Sequence, residues 1–133
     1  MPLGLRIFIL PSLFLFLGGS VQSCGDYGKA GCKQRTEAYQ ARVEQLRKDA
    51  HEQLKIGTRQ DVVQQFFNTH DLPFDVVRNG DHKEAIGTVY LQGGCAPLGC
   101  GSENALIGHR VELGLDGFLI AEPVIGSQFT DCL

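Results

Sequence analysis

The most reactive side chains in this sequence are its five cysteines: Cys24, Cys32, Cys95, Cys100 and Cys132. The densest cluster is Cys95-Ala96-Pro97-Leu98-Gly99-Cys100. A thiol redox pair favours two intervening residues at the start of a helix, where free amides depress a thiolate pKa. Four residues intervene here, inside a glycine-rich stretch, so a periplasmic thiol-disulfide enzyme using Cys95 and Cys100 is the alternative reading. Zinc needs four ligands at short spacings. Cys32 and Cys132 are remote in sequence and the histidines follow no ligand pattern, so no metal and no cofactor is expected. Structural disulfides are the expectation if the chain is exported. Four cysteines allow three connectivities. The pairing expected among them joins Cys95 to Cys100 across the loop and Cys32 to Cys132, tying the start of the mature chain to its tail.

The other candidate groups suggest no reaction. His51 lies beside Glu52 but lacks the second histidine of a metalloprotease helix. His70 and Asp71 fall at a helix end, where a charged imidazole suits the carbonyl dipole. His82 falls in a turn, and His109, on the Val111 and Leu113 face of a strand, is the one histidine expected to be partly buried. No nucleophile elbow, P-loop or paired-carboxylate motif is recognisable.

The elements that position these residues begin with a leader. A single charge, Arg6, precedes the apolar run Ile7 to Leu17 and the small or polar residues Gly18 to Ser23, which is the plan of a secretory signal peptide. Pro11 and Ser12 interrupt the run, and it is shorter than the roughly 20 residues a spanning helix needs. Val21-Gln22-Ser23-Cys24 resembles the lipobox of bacterial lipoproteins, with Gln22 departing from the usual small or aliphatic residue. Lipidation of Cys24 would leave an even number of cysteines to pair. Removing residues 1–23 takes away Arg6 alone, so the net charge of −3 becomes about −4. No basic block stands out, and nucleic-acid binding is not expected.

Residues 24–34 are expected to form a tether and residues 35–133 a single α+β domain. Tyr39, Val43, Leu46, Ala50 and Leu54 recur at helical spacing and predict a helix over 35–55. Gly57 suits a chain reversal, Thr58 an N-cap, and Asp61 the capping-box position of a second helix. That helix carries Val62, Val63, Phe66 and Phe67 as its apolar stripe and ends at Leu72-Pro73. Phe74 to Val77 is a short extended run before the turn Asn79-Gly80-Asp81, and Glu84 to Leu91 is a strand. Residues 92–104 form a loop. Ala105 to Leu115 and Phe118 to Ile125 flank Asp116-Gly117, expected as a two-residue hairpin that sets Leu113 opposite Ile120, Leu115 opposite Phe118 and His109 opposite Val124. Arg110 and Glu112 then point to the other face, and Pro123 marks an edge strand or its end. The architecture expected is two N-terminal helices followed by three antiparallel strands, with 74–77 as a candidate fourth, and a disulfide-stapled loop.

Gly57, Thr58-x-x-Asp61-Val62, Pro73 and the Asp116-Gly117 hairpin together resemble the small BamE/SmpA/OmlA lipoproteins of the bacterial outer membrane. The same arrangement occurs in the repeats of β-lactamase inhibitor protein. The longer second helix and the cysteine loop at 95–100 depart from that pattern. The resemblance implies a non-enzymatic envelope protein that binds another envelope protein or stabilises an assembly, facing the periplasm from a Cys24 lipid anchor or free within it. A secreted inhibitor or ligand-binding module is a further alternative, and no catalytic residues carry over.

Overall fold

Tyr39, Val43, Leu46, Ala50 and Leu54 are all buried, as their helical spacing requires. In the computed structural model, which describes residues 27–100 and 102–132, they lie on one side of helix α1 (Tyr27–Gln53) and join one core with the second helix and the sheet. Helix α1 starts at Tyr27, so the part of the expected tether from residue 27 onward is helical instead. Tertiary contacts offset the helical cost of its glycines, about 1 kcal/mol each. Cys32 is bonded to Cys95, the Thr36 hydroxyl donates to the Cys32 carbonyl (3.0 Å), and the Cys95 amide donates to the same hydroxyl (2.8 Å).

Helix α2 (Gln60–Thr69) buries Val63, Phe66 and Phe67, while Val62 is 48% exposed. Its expected side-chain cap is absent. The N-cap position is Arg59, and the Thr58 hydroxyl turns back to donate to the Lys55 carbonyl. The first free amide, that of Gln60, is satisfied by the Gly117 carbonyl at 2.8 Å. At the other end the helix stops before Pro73 by its own backbone. The Leu72 amide donates to the Phe67 carbonyl and the Asp71 amide to that of Asn68, with Asp71 at φ 57. This is a Schellman termination with a non-glycine residue in the left-handed position.

Strands β1 (Asp75–Asn79), β2 (His82–Gln92), β3 (Asn104–Leu113) and β4 (Val124–Phe129) form one antiparallel sheet in sequence order. The candidate fourth strand is thus present, as β1. Along β3 the residues Ala105, Ile107, His109, Val111 and Leu113 face the helices, and Arg110 and Glu112 face away as expected. The turn after β3 differs from its expected form. The Gly114 amide bonds the Phe118 carbonyl and the Gly117 amide bonds the Gly114 carbonyl, which closes a three-residue loop with Gly117 at φ 84. A type I turn followed by a left-handed glycine gives this loop length. The extra loop residue moves the register by one, so Leu113 meets Leu119, which is buried, while Leu115, Phe118 and Ile120 are exposed. A further excursion at 121–123 precedes β4, where His109 meets Ile125 and not Val124. Strand β4 therefore begins after Pro123, as an edge, and does not run from Phe118.

The disulfides join Cys32 to Cys95 and Cys100 to Cys132, which overturns the pairing taken from sequence. Chain direction explains the difference. Gly93 and Gly94 lead Cys95 onto the start of α1, whereas Cys100 bridges to Cys132 where the chain leaves β4. With partners 63 and 32 positions apart in sequence, each bond restricts the unfolded chain by about 4 kcal/mol in the chain-entropy picture.

Two measurements check this architecture. Asp71→Gly should raise stability by up to about 1 kcal/mol in urea unfolding, because glycine enters the left-handed region without strain. Non-reducing peptide mapping should recover Cys32 linked to Cys95 and Cys100 linked to Cys132, and reduction should lower the urea midpoint. A Cys95–Cys100 peptide would refute the fold of the loop.

Candidate protein-binding face

The helices cover one side of the sheet and leave the other open. Side chains alternate across a strand, so this outer side carries Ile86, Thr88 and Tyr90 of β2, Leu106, Gly108 and Arg110 of β3, and Val124, Gly126 and Gln128 of β4. Tyr90 is 71% exposed, Val124 64% and Ile86 45%. Gly108 and Gly126 are direct cross-strand partners. With no side chains there, the sheet backbone floors a shallow, wide-open concavity of about 370 Å³. One wall is Leu106 and Gln128, and the other is Arg110 and Val124. Glycine inside a strand commonly marks a close approach by another group.

Polar residues border this apolar centre. The Glu84 carboxylate accepts from Asn79 Nδ2 (2.8 Å) and Arg110 Nη2 (2.5 Å), with His82 Nε2 at 3.4 Å. The Asn79 hydrogen bond leads in holding the Glu84 carboxyl below its usual range. His82, at the start of β2 beside the two-residue turn, sits against Asp81 and Glu84, and its hydrogen bond to Asp81 leads in raising its pKa. The opposite end of the face carries Gln92, Asn104 and Thr130. An apolar centre with a polar rim is the composition of a protein interface. The β4 edge is less available for strand addition, because Arg47 Nε donates to the Ile125 carbonyl at 3.2 Å.

Behind this face His109 is structural. Its ring stacks 3.8 Å from Phe67 and 5.8 Å from Phe74 between ring centroids, and Nε2 donates to the Pro73 carbonyl at 2.6 Å. A Cβ on Gly87 would come within 1.8 Å of that carbonyl oxygen and 2.5 Å of Nε2, so only glycine admits this approach. Nδ1 is buried without a hydrogen-bond partner. A second proton there would go unpaired, and burial lowers the pKa of His109 against the opposite pull of Pro73 and Asp75.

The remaining expected groups do not converge. Cys95 and Cys100 bond to different distant cysteines and make no vicinal redox pair. His51 is exposed, with Nδ1 3.8 Å from Glu122, and His70 lies against Phe66 at the end of α2, the rings tilted by 49°. Cys24 lies outside the described residues. Among the described residues no cluster of His, Cys, Asp or Glu could hold a metal ion, and no helix is long and apolar enough to cross a membrane. The glycine-floored concavity was missed at the sequence level. Its signal was Gly108 and Gly126, which become informative only once they are known to pair.

The histidines predict a pH dependence. His109 is lowered in the fold, so below about pH 6.5 the unfolded chain binds a proton that the fold refuses, and stability falls with pH. His82 is raised, so its smaller, solvent-screened contribution is lost as pH climbs above about 6.5. The melting temperature should therefore decline from about pH 7 to about pH 5, and His109→Gln should flatten that decline. An unchanged slope in the variant would remove His109 as its source.

No family model matches this chain, and comparison with characterised proteins and with solved structures finds no match either.

Proposed function

We propose that this is a non-enzymatic, exported envelope protein that binds another protein through the outer face of its sheet and is held at a membrane by lipid on Cys24. The observation that carries this reading is the face itself: Ile86, Tyr90 and Val124 exposed around a glycine-floored concavity, with a polar border. Isolated exposed apolar residues are ordinary, whereas a group of them on one flat face points to a partner. Two disulfides support an oxidising compartment. The leader-like residues 1–23 and the lipobox-like Val21-Gln22-Ser23-Cys24 supply the route. Helix α1 already includes Tyr27, three residues beyond Cys24 in sequence.

Two substitutions test the reading separately. Cys24→Ser should move the protein from the membrane fraction to the soluble one without changing its melting temperature. Ile86→Asp, 45% exposed and opposite Asp75, should cost about 1 to 2 kcal/mol and leave the domain folded, yet abolish crosslinking to neighbouring envelope proteins in cells. Wild-type protein found wholly in the soluble fraction would refute anchoring, and unchanged crosslinking by Ile86→Asp would refute the face.

A further inference from the structure

We infer that the occupant of the outer face is a second copy of this chain, with Tyr90 of each copy seated in the Gly108–Gly126 concavity of the other. This rests on the proposed use of the same face and names its partner. The outer face is self-complementary. One surface carries both a projecting aromatic ring, 71% exposed, and a glycine-floored recess of about 370 Å³. Tyr90 lies on β2 opposite Leu106, and the recess lies one residue row away, across β3 and β4. A two-fold axis in the plane between two stacked sheets, passing midway between Tyr90 and the glycine pair, places each ring over the partner's recess. Such isologous contact, with residue i meeting j and j meeting i, is the commonest form of homodimer.

Chemistry and size agree with this arrangement. The recess walls present Leu106 and Val124 to the faces of the ring, and Gln128 and Arg110 offer polar groups at the rim for its hydroxyl. Buried tyrosine combines a large apolar area with a hydroxyl that needs such a partner. At standard strand spacing and rise, the four strands present roughly 500 Å² of sheet plane per copy. Full overlap of two such faces comes to about 1,000 Å² in total, the lower bound for a specific interface.

Gly126 makes the inference testable without disturbing the fold. It has no atom within 4 Å of an added Cβ and its backbone is not in the left-handed region. Gly126→Val therefore suits an edge strand while filling the recess. The experiment is sedimentation velocity on the full chain, expressed with its own leader and purified oxidised, over a wide range of loading concentration. Wild type should dimerise, and both Gly126→Val and Tyr90→Ser should weaken dimerisation by at least about 30-fold, as loss of a central aromatic anchor does. The melting temperature of monomeric Gly126→Val should be equal or higher. A wild type that stays monomeric at the highest concentration, or a Gly126→Val variant that dimerises as tightly as wild type, would overturn the inference. If wild type is monomeric and Ile86→Asp still abolishes crosslinking to a different envelope protein, the self-pairing falls while the binding face stands.

Discussion

Three backbone hydrogen bonds join the corner between the helices to the tip of the turn after β3. The Gly57 amide donates to the Leu119 carbonyl, the Leu119 amide to that of Thr58, and the Gln60 amide to that of Gly117. They fix where α2 begins, because a backbone carbonyl takes the place of a capping side chain. They also fix which residue of the tip turns inward, because Leu119 held against Thr58 is buried opposite Leu113. Both helices and the far end of the sheet are thus set relative to one another by main-chain geometry, which depends little on the identity of Thr58 or Phe118.

With that frame in place, the aromatic layer of Phe67, Phe74 and His109 fills the space between α2 and the sheet. Pro73 sits over Gly87 closely enough for its carbonyl to meet the imidazole. The polar group in the core is consequently matched on one nitrogen and held neutral by the other. All of this packing lies on one side. The outer side of the sheet receives no helix, and antiparallel sheets commonly leave such a face in contact with water. What distinguishes this one is its apolar centre, the observation on which the proposed binding role rests.

Local chemistry made much of the fold legible in the sequence. The α1 stripe, the Val63, Phe66 and Phe67 contacts, the Asn79-Gly80-Asp81 turn and the burial of His109 all follow from spacing or turn preference, as does the loop between β2 and β3, which is shorter than the expected 92–104 because Gln92 and Asn104 pair. What was illegible depends on groups distant in the chain. Thr58 is a sound N-cap residue, but the carbonyl of Gly117 reaches Gln60 first. Asp116-Gly117 suits a two-residue hairpin, but the same glycine closes a three-residue loop equally well, and only the docking of Leu119 against the corner selects between them. The helical state of residues 27–34 and the disulfide partners share one cause, since neither spacing nor composition says that Cys95 folds back onto α1. The recess was hidden for a similar reason: Gly108 and Gly126 are unremarkable until the register sets them side by side.

The disulfide pattern gives the molecule a topology of its own. Residues 32–95 close into one covalent ring that holds both helices, β1 and β2, and residues 100–132 close into a second that holds β3 and β4. The rings do not overlap in sequence, and the short segment 96–99 is their sole peptide link. A single protease cut inside either ring leaves the domain in one covalent piece. A single cut within 96–99 divides it into two, along the seam where β2 pairs with β3 from Lys83↔Leu113 to Gln92↔Asn104. Leu98, with full exposure, marks that link on the surface. The chain is thus two halves with one severable joint, and once it is cut they are held by noncovalent contacts: the β2–β3 ladder, the corner-to-tip hydrogen bonds and the shared core.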